Sequence, residues 1–207
     1  MHHHAGLDNE AKKFAAANCV AFADGLTDGP NKLDAIVNNA GGCGPVLKEY
    51  GHLLQGTPFE KQGEAFGSKV KDIHEWLAFT GIEPPPAAGA SQQVVTYHES
   101  CHLCHGQKIS AQPRSLLRAI PGVRLVELTE AAWCCGSAGI YNLTQPEMAG
   151  QLLQRKVDHI VSTRAEVVAT GNPGCLLQLI NGCRERGLEL RVAHPITLLA
   201  EAYRRGR

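Results

Sequence analysis

The sequence predicts an α/β protein: two pseudo-repeated lobes of short, mainly parallel strands with flanking helices. Three observations lead there. Valine- and isoleucine-rich runs alternate with amphipathic segments of about ten residues or more, the pattern of strand–helix–strand units. A strand ending in a Gly-Cys turn occurs twice, as Asp34-Ala35-Ile36-Val37 before Ala40-Gly41-Gly42-Cys43 and as Glu166-Val167-Val168-Ala169 before Asn172-Pro173-Gly174-Cys175. Between them, residues 81–93 hold Pro84-Pro85-Pro86 and Ala87-Ala88-Gly89-Ala90-Ser91, a linker composition. The expected organisation is an incomplete first lobe over 1–80, a linker over 81–93 and a complete second lobe over 94–207. A chain of 207 residues is long enough to bury a core in such an arrangement.

Residues 8–22 read as an amphipathic helix, with Ala11, Phe14, Ala15, Asn18 and Phe22 on one stripe and Cys19 buried beside it. Turn chemistry follows from Asp24-Gly25 to Gly29-Pro30. Leu33 to Val37 is expected to be a short buried strand, and Pro45 to open a helix through Leu54. Residues 55–68 read as a polar, glycine-containing insert, and Lys69 to Thr80 as a helix with Val70, Ile73, Trp76 and Leu77 on one face. After the linker come a strand at Val94–Tyr97, a short helix around Ser115–Ile120 and a strand at Val123–Leu128. Thr144-Gln145-Pro146-Glu147 has the form of a capping box opening a helix to about Val161. The chain closes with a strand at Glu166–Ala169, a helix to about Arg184, a strand at Leu188–Ala193 and a helix from Pro195 to about Arg204.

The internal repeat extends past the turns. Lys69-Val70 with Trp76-Leu77-Ala78 corresponds to Arg191-Val192 with Leu198-Leu199-Ala200. The offset is 132 residues at the cysteines and 122 here, so the first half carries ten extra residues, which the insert at 55–68 supplies. The halves differ in one respect: the second has further cysteines upstream of its Gly-Cys turn, and the first has none matching them.

The formal charge is zero and the pI about 7.1, without the clustered basic face of a nucleic-acid binder. Arg204-Arg205-Gly206-Arg207 reads as a solvated tail. No window approaches the roughly 18 apolar residues of a membrane span. Met1-His2-His3-His4 leads into a helix-like segment rather than the apolar core of a signal peptide, so the expected location is cytoplasmic. There, eight cysteines point to metal or redox chemistry rather than disulfides.

Four of the eight lie between Tyr97 and Gly139. Cys101, the Cys134-Cys135 pair and Cys175 each follow a predicted strand, which places four thiols at one edge of the sheet, with Gly136 and Gly174 allowing close backbone approach. An iron–sulfur cluster suits thiolates on such loops, because N–H groups there can donate to the sulfides. Zinc is the alternative, although common zinc patterns use Cys-x-x-Cys units rather than adjacent cysteines. Cys101-His102-Leu103-Cys104-His105 also fits the c-type haem attachment pattern, which a cytoplasmic α/β chain suits poorly. Ordinary buried thiols explain Cys19 and Cys183 taken singly. His98, His102 and His105 are read as loop hydrogen-bonding residues.

Several strings resemble a known family. Cys101-His102-Leu103 with His105-Gly106-Gln107, Cys134-Cys135-Gly136-Ser137-Ala138-Gly139-Ile140-Tyr141-Asn142, Gly171-Asn172-Pro173-Gly174-Cys175, and Gly42-Cys43-Gly44 with Leu47-Lys48-Glu49-Tyr50 look like the cysteine-rich CCG domain. That domain also occurs in heterodisulfide reductases, in anaerobic glycerol-3-phosphate dehydrogenases and in lactate-utilisation proteins. The finer match is to glycolate oxidase (glycolate dehydrogenase) iron–sulfur subunits. The resemblance implies a CCG-type fold and a [4Fe–4S] or noncubane cluster on Cys101, Cys134, Cys135 and Cys175. It implies no catalytic acid–base residue here and an electron-transfer role within a 2-hydroxy-acid oxidoreductase. FAD would sit on a flavoprotein partner, and a quinone or other acceptor would take the electrons, with a peripheral place at the inner membrane left open. A heterodisulfide-reductase-like thiol–disulfide protein and a non-catalytic metal-binding remnant are the competing readings. Two departures stand out. The family's Cys-x-x-Cys begins here with Asn172, and the partners of Cys43 in a first motif are missing. Cys43 is therefore expected to be an orphaned ligand, and the chain to be a C-terminal fragment of a protein about twice as long.

Overall fold

The computed structural model describes residues 6–87 and 92–205. The histidine run at 2–4, the 88–91 part of the linker and the last two residues of the basic tail lie outside the described residues. Among the described residues every strand pairing is parallel, in two sheets with helices around them, as the α/β class requires. No helix among them is long and apolar enough to cross a membrane.

The smaller sheet pairs β1 (Ile36–Asn38) with β2 (Val70–Asp72). Helices α1 (Asp8–Ala21) and α2 (Ala23–Leu26) precede it, and α3 (Gly44–Lys48), α4 (Tyr50–Leu53) and α5 (Glu60–Lys69) form the crossover. Its core gathers Ala15, Cys19, Tyr50, Leu54, Phe66 and Val70, with the Tyr50 and Phe66 rings stacked 4.8 Å apart. Helix α1 buries Ala11, Ala15 and Cys19, a strict four-residue stripe that leaves Phe14 exposed.

Several expectations fail in this half. The stretch 55–68 is not a polar insert: most of it forms α5, which buries Phe66 together with Gly63 and Gly67. These glycines lie one helical turn apart, and a β-carbon at Gly67 would stand 2.4 Å from the Lys48 carbonyl oxygen. Removing the side chains lets two backbones meet. The segment 69–80 is not one helix either. Val70–Asp72 is β2, and α6 covers Ile73–Thr80. Asp72 divides them, since its carboxylate accepts the His74 N–H at 2.9 Å while Glu75 reaches back to the Asp72 N–H at 3.3 Å. This reciprocal pair is a capping box. The Pro45–Leu54 helix breaks at Glu49, and the Leu33–Val37 strand shrinks to β1, with Val37 44 % exposed.

The larger sheet runs in the order β4 (Val123–Val126), β3 (Gln93–His98), β5 (Val167–Thr170), β6 (Arg191–Ala193). Alternation along the strands separates two cores. Val95, Tyr97, Val167 and Ala169 face α7 (Ala111–Arg118) and α11 (Pro195–Arg205). Val168 faces the opposite layer, α9 (Pro146–Ser162) and α10 (Pro173–Glu185), where it packs with Leu153, Val157, Ile160 and Leu179. The expected capping box at Thr144–Glu147 does not form. Thr144 ends a short α8 (Tyr141–Thr144), and its hydroxyl turns back onto the Ile140 and Tyr141 carbonyls. From β3 the chain steps outward to β4 and then returns across β3 to β5. A crevice therefore opens beyond the carboxyl ends of β3 and β5, where open parallel sheets place their ligands.

The two sheets meet over a histidine pair. His74 bonds Asp72 through Nδ1 at 2.6 Å and stacks on His194, ring centroids 5.0 Å apart. Burial, then the neighbouring His74, pulls the His194 pKa down to about 4, with Asp72 opposing. An unfolded histidine titrates near 6.5. The unfolded chain thus takes up a proton first as pH falls, and stability intact above about 6.5 is lost on the way to about 4, by roughly 3 kcal/mol. His194→Asn should flatten that part of the stability–pH profile, because an amide oxygen can still accept the Ile196 N–H as Nδ1 does now. Urea midpoints from pH 7 to 4.5 for both proteins check this; parallel profiles would refute it.

Candidate metal centre

Three loops from the larger sheet converge on the crevice. Beyond β3, Glu99 is clamped by Ser110 and Arg114, and Arg114 also holds Glu127 at 2.8 Å. This fixes the exit of the strand, and Cys101 follows at the start of a π-helical turn, His102–Gly106. Beyond β4, Gly136 adopts a φ of +88° and its N–H points at the Cys134 sulfur, 3.3 Å away. That turn sets Cys134 and Cys135 side by side. Beyond β5, Asn172, Pro173 and Gly174 open α10, so Cys175 sits in its first turn, where free N–H groups and the helix dipole favour a thiolate.

A cavity of about 270 Å³ lies between the loops, lined by Cys43, His98, Cys101, Cys134, Cys135 and Cys175 among others. Donor atoms of His98, Cys135 and Cys175 lie within 4.8 Å of one another, and all three residues are buried. The electrostatics are those of a shared proton set. Hydrogen bonding from Cys135 pulls Cys134 and Cys175 down, against their burial. Cys135, donating to both and buried, is pushed far up. Burial raises Cys101, with Cys175 and Cys134 adding to the effect. Beneath the loops, Lys156 of α9 is 1 % exposed and donates to the Glu130 carbonyl. Burial disfavours its charge, while the cysteines facing it favour that charge. A cation buried this way suits a centre that carries negative charge.

The structure thus brings Cys101, Cys134, Cys135 and Cys175 to one cavity. Cys43 stands on its rim, exposed. Its loop is docked by three hydrogen bonds: Gly41 N–H to the Gly171 carbonyl (3.0 Å), Gly42 N–H to Asn172 Oδ1 (3.0 Å) and Gln107 Nε2 to the Gly41 carbonyl (3.2 Å). Asn172 also points Nδ2 at the Cys175 sulfur, 3.4 Å away, so it brackets the two loops. Cys104 turns towards the Cys101 carbonyl at 3.8 Å and is not among the described residues lining the cavity. His105 is exposed, and His102 lies beside the Cys101 sulfur at 3.5 Å.

His98 and Lys156 are the residues that sequence reasoning missed. The first was read as a loop residue, yet it ends β3 and faces the thiols. Period-two alternation from Tyr97, which points the other way, carries that signal. Lys156 looks like an ordinary surface residue of an amphipathic helix, and only the tertiary fold buries it.

Residues 95–180 match the cysteine-rich CCG domain. Over 205 residues, 98% of this chain, it is 40% identical to the probable glycolate oxidase iron-sulfur subunit of Bacillus subtilis (strain 168) and spans 45% of that protein. It is 28% identical over 99% of its length to lactate utilization protein A of Oceanobacillus iheyensis, spanning 80% of that relative. It is also 32% identical over 82% of its length to one of the subunits of the fumarate reductase (CoM/CoB) of Methanothermobacter marburgensis, spanning 32% of that one. Residues 95–180 therefore carry a cysteine-rich CCG domain, and over nearly its whole length the chain is similar to a glycolate oxidase iron–sulfur subunit.

Proposed function

We propose that Cys101, Cys134, Cys135 and Cys175 hold an iron–sulfur cluster and that the chain serves as the electron-transfer part of an oxidoreductase acting on a 2-hydroxy acid such as glycolate. The observation that carries this reading is the convergence of four thiols from three strand ends on one cavity, above a buried lysine. The residues fit such a group. The Cys134-Cys135-Gly136 turn aims an N–H at sulfur, Asn172 does the same at Cys175, and the buried His98 ring meets the Cys175 sulfur. When bound, the group supplies one-electron chemistry. The thiols ligate, and the N–H donors and Lys156 offset the negative charge.

The name of the first relative supports glycolate as the substrate class, and two relatives named as subunits support assembly with other chains. The electron donor in this reading is a flavoprotein partner, and the acceptor is of quinone type. Anaerobic reconstitution of the full chain with ferrous iron and sulfide tests the first step: iron and acid-labile sulfide should be retained after desalting. Zinc bound without iron or sulfide would replace this reading with a zinc site. Reduction of the reconstituted chain by a reduced flavoprotein subunit tests the second step, and failure to reduce it would remove the electron-transfer role.

A further inference from the structure

His98 ends β3, where it pairs in register with Thr170 of β5. Strand alternation turns it away from the layer that holds Val95 and Tyr97 and towards the layer that holds Val168, Cys135 and Cys175. It is 1 % exposed. Among the described residues the ring's one hydrogen-bonding neighbour is the Cys175 sulfur, and the Thr170 hydroxyl opposite in the ladder has no partner. Buried polar groups are ordinarily paired, so a fully buried imidazole that meets only a thiol sulfur suits a ligand. Its surroundings supply the place. The ring lines the thiol cavity, and a donor nitrogen lies within 4.8 Å of the sulfurs of both Cys135 and Cys175. Imidazole and thiolate together are a common donor set for iron and zinc.

We infer that His98 is a further ligand of this metal centre, bonded through a ring nitrogen beside Cys135 and Cys175. The inference rests on the iron–sulfur reading and extends it from an all-thiol site to a mixed one. The consequence is electrical. An imidazole brings no negative charge, so a site that includes it carries less charge than thiolates alone would give and accepts an electron more readily, as in clusters where histidine replaces cysteine.

The test uses the full chain labelled with ¹⁵N-histidine, reconstituted anaerobically with ferrous iron and sulfide and examined by pulsed EPR in its paramagnetic state. The expected result is the strong hyperfine coupling of a directly bonded nitrogen, present in the wild type and lost in His98→Gln. His98→Cys should keep iron and sulfide, lose the nitrogen coupling and show a lower midpoint potential. Circular dichroism confirms that each variant is folded, and the wild-type measurement needs no variant. Iron and sulfide bound without strong nitrogen coupling would overturn this inference and leave the cluster reading standing. Coupling that survives in His98→Gln would assign the ligand to another histidine and overturn it equally. A chain that binds no iron removes both.

Discussion

Cys135→Ser should abolish iron and sulfide retention while leaving the metal-free fold nearly intact. Cys135 is buried beside His98 and Cys175, so in the proposed reading its thiol proton is one that the metal displaces. Serine nearly preserves its volume but ligates soft metals poorly, because its alkoxide is not available near neutral pH. Changes one shell further out already cost about 10–100-fold in metal affinity at comparable sites, so loss of a ligand should cost at least that. Cys104→Ser is the control. It lies in the same cysteine-rich stretch but bonds the Cys101 carbonyl, and it should retain metal like the wild type. Iron and sulfide content per chain after reconstitution decides the matter. Equal retention by Cys135→Ser and the wild type would remove Cys135 from the ligand set.

Gly136→Ala should be among the most damaging single substitutions in the larger lobe. At a φ of +88°, a β-carbon there would stand 2.4 Å from the Ala149 carbonyl oxygen, in the first turn of α9. The left-handed backbone alone costs about 1–2 kcal/mol for a residue with a side chain. The contact is with backbone, so either the turn or the start of α9 must move, which brings the expected loss to roughly 3–5 kcal/mol. Gly139→Ala separates the two effects. Its φ of +68° carries similar strain, but none of the described residues lies within 4 Å of the added carbon. A urea series should therefore show a small loss for Gly139→Ala and a several-fold larger one for Gly136→Ala. Equal losses would mean that the close approach to α9 is not what the glycine is for.

Much of the second lobe could be read from the chain itself. Val94–Tyr97 and Glu166–Ala169 differ from β3 and β5 by a residue or so at each end, because central parallel strands are continuous apolar runs. A proline at the first helical position marked α11. The first lobe was harder for identifiable reasons. β2 has three residues, too few to display alternation, and only its pairing with β1 makes it a strand. Helix α5 looks like loop because its packing face is made of glycines. At the site, residue type and strand exits marked the cysteines, but burial and facing direction are tertiary properties. They hid His98 and Lys156. They also hid the place of Cys43, which stands 132 residues from Cys175 in sequence yet on the rim of the same cavity.

The three hydrogen bonds that dock the Gly41–Cys43 loop have a thermodynamic consequence. Two of their acceptors, the Gly171 carbonyl and Asn172 Oδ1, belong to the loop that presents Cys175. Anything that orders residues 171–175 also orders the seam by which the smaller sheet is attached. The coupling is reciprocal by necessity: whatever holds the seam closed raises affinity at the thiols by the same factor that occupancy of the thiols tightens the seam. The smaller sheet, which contributes no thiol to the tight group of donors, thereby becomes an effector of the centre.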